Sequence, residues 1–135
     1  MADYRPKAAS EQKLKKQQAE RIIELERTED ILANVAQLKR RPFVVGFAAE
    51  TENVESNARK KLESKTLDMI AANRVGKDAN AQDIGFNSEY NALQVLSAHG
   101  GVKLELARKT ALARELIKLI AEQYNKNRQH QENTA

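Results

Sequence analysis

The chain predicts an α/β fold built on a mostly parallel sheet with an antiparallel hairpin edge. Three observations carry that expectation. Phe43–Phe47 and Leu67–Ala71 are short apolar runs of the kind that form strands covered on both faces. Between them Val54, Ala58 and Leu62 recur every four residues, the buried stripe of a helix. After them come two strand-like runs, Ala92–Leu96 and Val102–Leu106, joined by Ser97-Ala98-His99-Gly100-Gly101 as a hairpin.

In chain order, residues 1–20 are polar and lysine-rich, with Pro6 near the start and no apolar period, which predicts a loop or flap. Residues 21–124 form the body of the domain. Ile23 and Leu25 alternate with Glu24 and Glu26, so Arg21–Arg27 reads as a half-exposed strand. Thr28 is a good N-cap, with Glu29 and Asp30 in the first turn of a helix that buries Ile31, Leu32, Val35 and Leu38. That helix ends near Lys39, and Pro42 stops it. Phe43–Phe47 then empties into a small-residue turn, Gly46 to Ala49, ahead of a helix over Asn53–Lys65. Asn73–Gly85 reads as a surface loop, and Lys109–Tyr124 as a helix with Leu112, Leu116, Leu119 and Ile120 inward. Residues 125–135 are polar and predict a frayed, disordered tail. The order is that of a three-layer, Rossmann-like sheet present only in part. No glycine-rich phosphate turn of the dinucleotide or P-loop kind occurs.

Composition excludes several function classes. There is no cysteine, so disulfides, thiolate metal sites and a cysteine nucleophile are ruled out. His99 and His130 are far apart in sequence and read as solvated surface histidines, so no metal site is expected. A net charge of +4 suits nucleic acid or a polyanionic small ligand equally. Nucleic acid is not expected, because three Tyr, three Phe and no Trp leave no aromatic platform interleaved with the basic residues. No apolar run has the length of a membrane span and no signal peptide opens the chain, so no membrane partner and a cytoplasmic location are expected.

The residues around Phe47 suit a ligand. Gly46, Ala48 and Ala49 let one approach the backbone closely, and open α/β sheets bind ligands at strand ends. They equally suit a tightly packed strand–helix junction. Lys61 and Lys65, four apart, flank the apolar stripe of the following helix. On pattern alone they are solvated cations complementing a helix C-terminus.

Arg41-Pro42-Phe43-Val44-Val45-Gly46-Phe47-Ala48-Ala49-Glu50-Thr51 resembles the signature of bacterial phosphopantothenoylcysteine synthetase, the ligase half of the bifunctional coenzyme A biosynthesis flavoprotein. Ala2-Asp3-Tyr4-Arg5-Pro6, Lys13-Leu14-Lys15-Lys16-Gln17, Asp30-Ile31-Leu32-Ala33, Asn57–Leu62, Leu67–Asn73 and Gly85-Phe86-Asn87-Ser88 follow the same family's order, over Ala2 to Asn127. The resemblance implies joining of 4'-phosphopantothenate to cysteine with CTP and Mg²⁺. The substrate carboxylate attacks the α-phosphate to give an acyl-cytidylate and pyrophosphate, and the amine of cysteine then displaces CMP. It implies a homodimer in the intact enzyme, and FMN only in the separate decarboxylase half. It also implies nucleotide contacts from Asp3, Lys13, Glu29, Asp30, Ile31, Leu32, Phe47, Lys61 and Lys65, with no protein metal ligands. Lys13, on the family's mobile flap, takes the catalytic role of closing over the acyl-cytidylate. Asp3 is expected at the ribose or base, away from the phosphates. Thr28-Glu29-Asp30 departs from the Asn-Pro-Asp of many relatives, which leaves backbone contacts there. Asn73 stands in an Asn-Asp pair whose acid is Arg74 here, and is a further candidate.

The resemblance begins in mid-motif. Relatives place a small-residue run and a whole glycine-rich nucleotide-binding half before Ala-Asp-Tyr-Arg-Pro, and valine where Met1 stands. The expectation is a chain carrying only the C-terminal part of the ligase, from a valine codon used as a start or from an excised piece, and inactive alone. In that case Phe43–Phe47 should show an unpaired apolar edge. The alternative expectation is a non-catalytic nucleotide-binding or dimerisation module.

Overall fold

The computed structural model describes residues 3–7, 22–77, 83–84 and 88–132, which divide into two compact units, the first ending at Ile31 and the second beginning at Leu32. The first unit is a two-stranded antiparallel ribbon. β1 (Tyr4–Pro6) pairs with β2 (Leu25–Arg27) in the register Tyr4–Arg27, Arg5–Glu26 and Pro6–Leu25. Thr28 N–H donates to the Asp3 carbonyl at 3.0 Å and Lys7 N–H to the Glu24 carbonyl at 3.0 Å, closing the ribbon at both ends. Part of the expected flap is therefore a strand, and among the described residues of the expected Arg21–Arg27 strand, 22–27, the last three form it.

The second unit is a four-stranded sheet in the order β3-β4-β7-β8, formed by Val45–Glu50, Met69–Arg74, Tyr90–Ser97 and Gly100–Arg108. β3 and β4 are parallel, from Val45–Met69 to Glu50–Arg74. α2 (Val54–Ser64) makes the crossover that parallel strands require. β7 runs antiparallel to β4 and β8 antiparallel to β7. The α/β class and the antiparallel hairpin edge are as expected, and among the described residues parallel pairing is that of β3 with β4. Among the described residues, a small ribbon of β5 (Gly76–Lys77) and β6 (Asp83–Ile84) stands in chain order between β4 and β7. That ribbon lies inside the expected surface loop.

Alternation along the strands builds a core on each face. Val44, Ala48, Ile70, Ala72 and Leu96 pack against Ala58 and Leu62 of α2 and against Leu32 and Val35 of α1 (Ile31–Ala36). The opposite face carries Met69, Ala71, Leu93 and Val95 under Leu112 and Leu116 of α3 (Lys109–Glu132). Helices thus cover both faces, the three-layer arrangement expected. α1 is shorter than predicted: it begins at Ile31, so Thr28, Glu29 and Asp30 precede it, and it ends at Ala36. α3 is longer. It runs through Tyr124 to Glu132, so the tail expected to be disordered is helical that far. Its far end docks on the sheet: the Tyr124 ring meets Phe43 edge-on, centroids 5.7 Å apart at 86°.

β3 corrects the expectation most. Gly46, Ala48 and Ala49 are not a turn; they lie inside the strand, which runs on to Glu50, and the turn into α2 is made by Thr51–Asn53. Small residues are needed there for packing. A Cβ on Gly46 would sit 2.6 Å from Leu67 Cδ1 and 3.6 Å from both Ile70 and Leu32. β3 is also an edge strand, with β4 as its one sheet partner among the described residues.

Candidate functional site

The carboxyl end of the parallel pair is where crevices form in open α/β sheets, and two of the expected residues, Phe47 and Lys61, belong to this neighbourhood. Phe47 sits in the middle of β3 and is 68% exposed. By alternation its side chain shares the α3 face with Val45, but α3 approaches β3 through Tyr124 at the strand's beginning, leaving the aromatic ring bare. Phe47 is therefore not a core residue. Beside it the outer edge of β3 carries backbone groups without a strand partner among the described residues.

Lys61 lies on the other face, on α2. Its ammonium donates to Glu50 Oε1 at 2.6 Å. Asn57, one helical turn earlier, donates to Glu50 Oε2 at 3.2 Å and to the Glu52 carbonyl at 3.1 Å. Glu50 and Asn57 are the residues that sequence reasoning missed. The available signal was Asn57 and Lys61 spaced four apart on a helix that follows an acidic strand end. Phe47 and the Glu50 carboxylate that holds Lys61 both belong to β3 but face opposite sides by alternation, so a ligand touching Phe47 and Lys61 crosses the outer edge of β3.

The remaining expected residues are placed as follows. Lys65 is the C-cap of α2, half-buried, its N–H donating to the Lys61 carbonyl at 3.1 Å. It stands about 6 Å further along the helix axis than Lys61, away from the carboxyl end of β3. Leu32 turns inward onto the core, which leaves its backbone as the part a ligand would meet. Asn73 lies in β4 opposite Ala49 and Leu93, half-buried. In the first unit, Asp3, Glu29, Asp30 and Ile31 are exposed. The Arg27 guanidinium there is held above its ordinary value by a hydrogen bond to the Tyr4 side chain, with a smaller push from the Asp3 charge. Lys13 lies outside the described residues.

At the opposite end of the sheet the structure gathers residues the sequence keeps apart. His99, in the β7–β8 turn, and His130, on α3, line one groove of about 350 Å³ with Gln123, Lys126, Asn127 and Gln129. Among the described residues no three carboxylate or imidazole groups cluster as a metal site, and no helix is long and apolar enough to cross a membrane.

With this geometry in view, the chain belongs to the family of the DNA/pantothenate metabolism flavoprotein C-terminal domain, whose pattern it matches over residues 1–124. Within that family it is similar to proteins named coenzyme A biosynthesis bifunctional protein CoaBC. It is 46% identical over 127 residues to the one from Haemophilus influenzae, covering 93% of this chain and 30% of that protein. The Escherichia coli K12 protein is 44% identical over 133 residues, covering 95% and 32%, and the Bacillus subtilis protein 38% over 122 residues, covering 90% and 29%. The chain thus spans about a third of the length of these relatives. Among solved structures it is similar to the C-terminal domain of a CoaBC protein, at 35% identity and a TM-score of 0.66 over 93% of this chain and 52% of that one. A flavoprotein of the same description from Streptococcus pneumoniae, at 18% identity and a TM-score of 0.56, shares the fold.

Proposed function

We propose that this chain works in coenzyme A biosynthesis as the C-terminal part of a CTP-dependent phosphopantothenate–cysteine ligase, carrying half of the nucleotide site. The observation that supports it best is the pairing of an exposed aromatic on an open strand edge with a cation one helix away, in a chain of this family. The cytosine packs against Phe47, and backbone groups of the free β3 edge read its polar rim. The phosphates turn over the edge to Lys61, with Lys65 a turn beyond. By the family resemblance, nucleotide contacts are also assigned to Asp3, Lys13 and Glu29–Leu32, with Lys13 acting on the acyl-cytidylate. Reactions of this type need anions positioned and charge neutralised more than they need acid–base groups. Mg²⁺ characteristically binds through phosphates and one or two carboxylates rather than a protein cage, so it is assigned to travel with CTP and to neutralise phosphate charge. The setting is cytoplasmic.

Calorimetry with Mg–CTP tests the reading. Phe47→Ala and Lys61→Ala are each expected to weaken binding, whereas Lys126→Ala in the distant groove leaves it unchanged. Equal binding by all four chains would overturn the assignment.

Homodimerisation is the second reading, supported by β8. It forms the other sheet edge and exposes Val102 and Leu106. Sedimentation of the wild type against Leu106→Lys tests it: a monomer for both chains would contradict it.

A further inference from the structure

Glu50 ends β3 with a carboxylate only 13% exposed, and both of its oxygens are used. Asn57 holds Oε2 and, with its second hydrogen, the Glu52 carbonyl, so the Thr51–Asn53 turn is fixed around the acid. Oε1 is left for Lys61, whose side chain is still 45% exposed. A fixed, half-hidden anion therefore holds a cation that solvent and solutes can reach.

We infer that Glu50 is an internal counter-ion that a phosphate group must displace from Lys61, so that it sets how readily the site takes polyphosphates. The inference rests on the nucleotide reading of Lys61 given above. An interaction made in the free protein and broken in the complex subtracts its whole free energy from binding. A pair as exposed as this one is worth little, so a ligand with several negative charges overcomes it while a singly charged anion gains too little to do so. Removing the carboxylate charge frees Lys61 and also removes a repulsion from the incoming phosphate. Both effects have the same sign.

The test uses the full chain with pyrophosphate and with Mg–CTP. Glu50→Gln keeps an acceptor for Asn57 and removes the charge. It is expected to tighten pyrophosphate binding roughly two- to fivefold, the range an exposed ion pair supplies. Lys61→Ala weakens binding, and adding Glu50→Gln to it restores less than Glu50→Gln gains in the wild type, because only the lost repulsion is left to act. A role confined to holding the turn predicts the same change from Glu50→Gln in both backgrounds, or weaker binding in both, and either result overturns the inference. A second readout is independent of any ligand. The Lys61 ammonium ¹⁵N signal should stand apart from those of surface lysines in the free wild type and join them in Glu50→Gln. If it is already averaged in the wild type, the counter-ion does not exist. If that signal is distinct but neither ligand binds, the nucleotide reading fails, and the displacement with it, while the ion pair stands.

Discussion

Asp68 receives the Arg41 guanidinium on both carboxylate oxygens, at 2.8 and 2.9 Å. The same carboxylate accepts the Val44 N–H at 2.8 Å and the Asn127 amide at 3.4 Å. One side chain, 10% exposed, thus ties the entry to β3, the start of β4 and the far part of α3 together. Bidentate pairing suits arginine's planar fork.

Asp68→Ala leaves the Arg41 guanidinium and the Val44 N–H without that acceptor. It is expected to lower unfolding stability by about 2–4 kcal/mol. Arg41→Ala, which leaves Asp68 with the Val44 and Asn127 donors, is expected to cost about 1–2 kcal/mol. Urea denaturation measures both, and equal small effects would show the pair to be incidental.

Gly46→Ala is expected to destabilise by about 1–3 kcal/mol, because the new methyl meets Leu67 Cδ1 inside a buried cluster that also holds Ile70 and has Leu32 packed against it. Gly46 has no positive φ, so the cost is steric and Leu67→Val should relieve part of it. Additive losses in the double variant would exclude that contact as the cause.

How much of this was legible in the sequence differs from element to element. The α2 stripe was read correctly because Val54, Ala58 and Leu62 face one way at helical spacing. β3 was read too short because small residues look like turn residues. Gly46 and Ala48 are small here because α2 and Leu67 pack against their face, a fact of tertiary packing, whereas Ala49 is exposed on the other face. The end of α3 was invisible for the opposite reason. Its residues past Tyr124 are polar, and what holds them is a few specific contacts: Asn127 with Asp68, Gln123 with Asn127, and Arg128 with Glu132 at 3.4 Å. Expecting Phe47 to border a ligand needed the family resemblance; finding it exposed needed the path of α3. Glu50 lies within the signature segment but no role was read for it, because that role depends on a side-chain distance.

Tyr124→Ala is expected to cost about 1–2 kcal/mol through the lost edge contact with Phe43. It should also reduce amide protection in residues 125–132, which hydrogen exchange would detect. Unchanged protection there would mean that the end of α3 holds without docking.

Phe47→Ala should behave in the opposite way. A side chain this exposed contributes little to the fold, about 0.5 kcal/mol or less. Its loss is nevertheless expected to weaken CTP binding about tenfold, within the range of a base stacked on an aromatic ring. Thermal unfolding beside calorimetry separates the two, and a large loss of stability would return Phe47 to the core.

The most direct measurement of the central claim is a titration of the ¹⁵N-labelled chain with Mg–CTP, followed by amide shifts. The account predicts changes along Gly46–Glu50, with Lys61 and its neighbours on α2 responding at the same concentrations. No response to CTP, or a response confined to His99, Lys126 and His130 at the other end of the sheet, would contradict it.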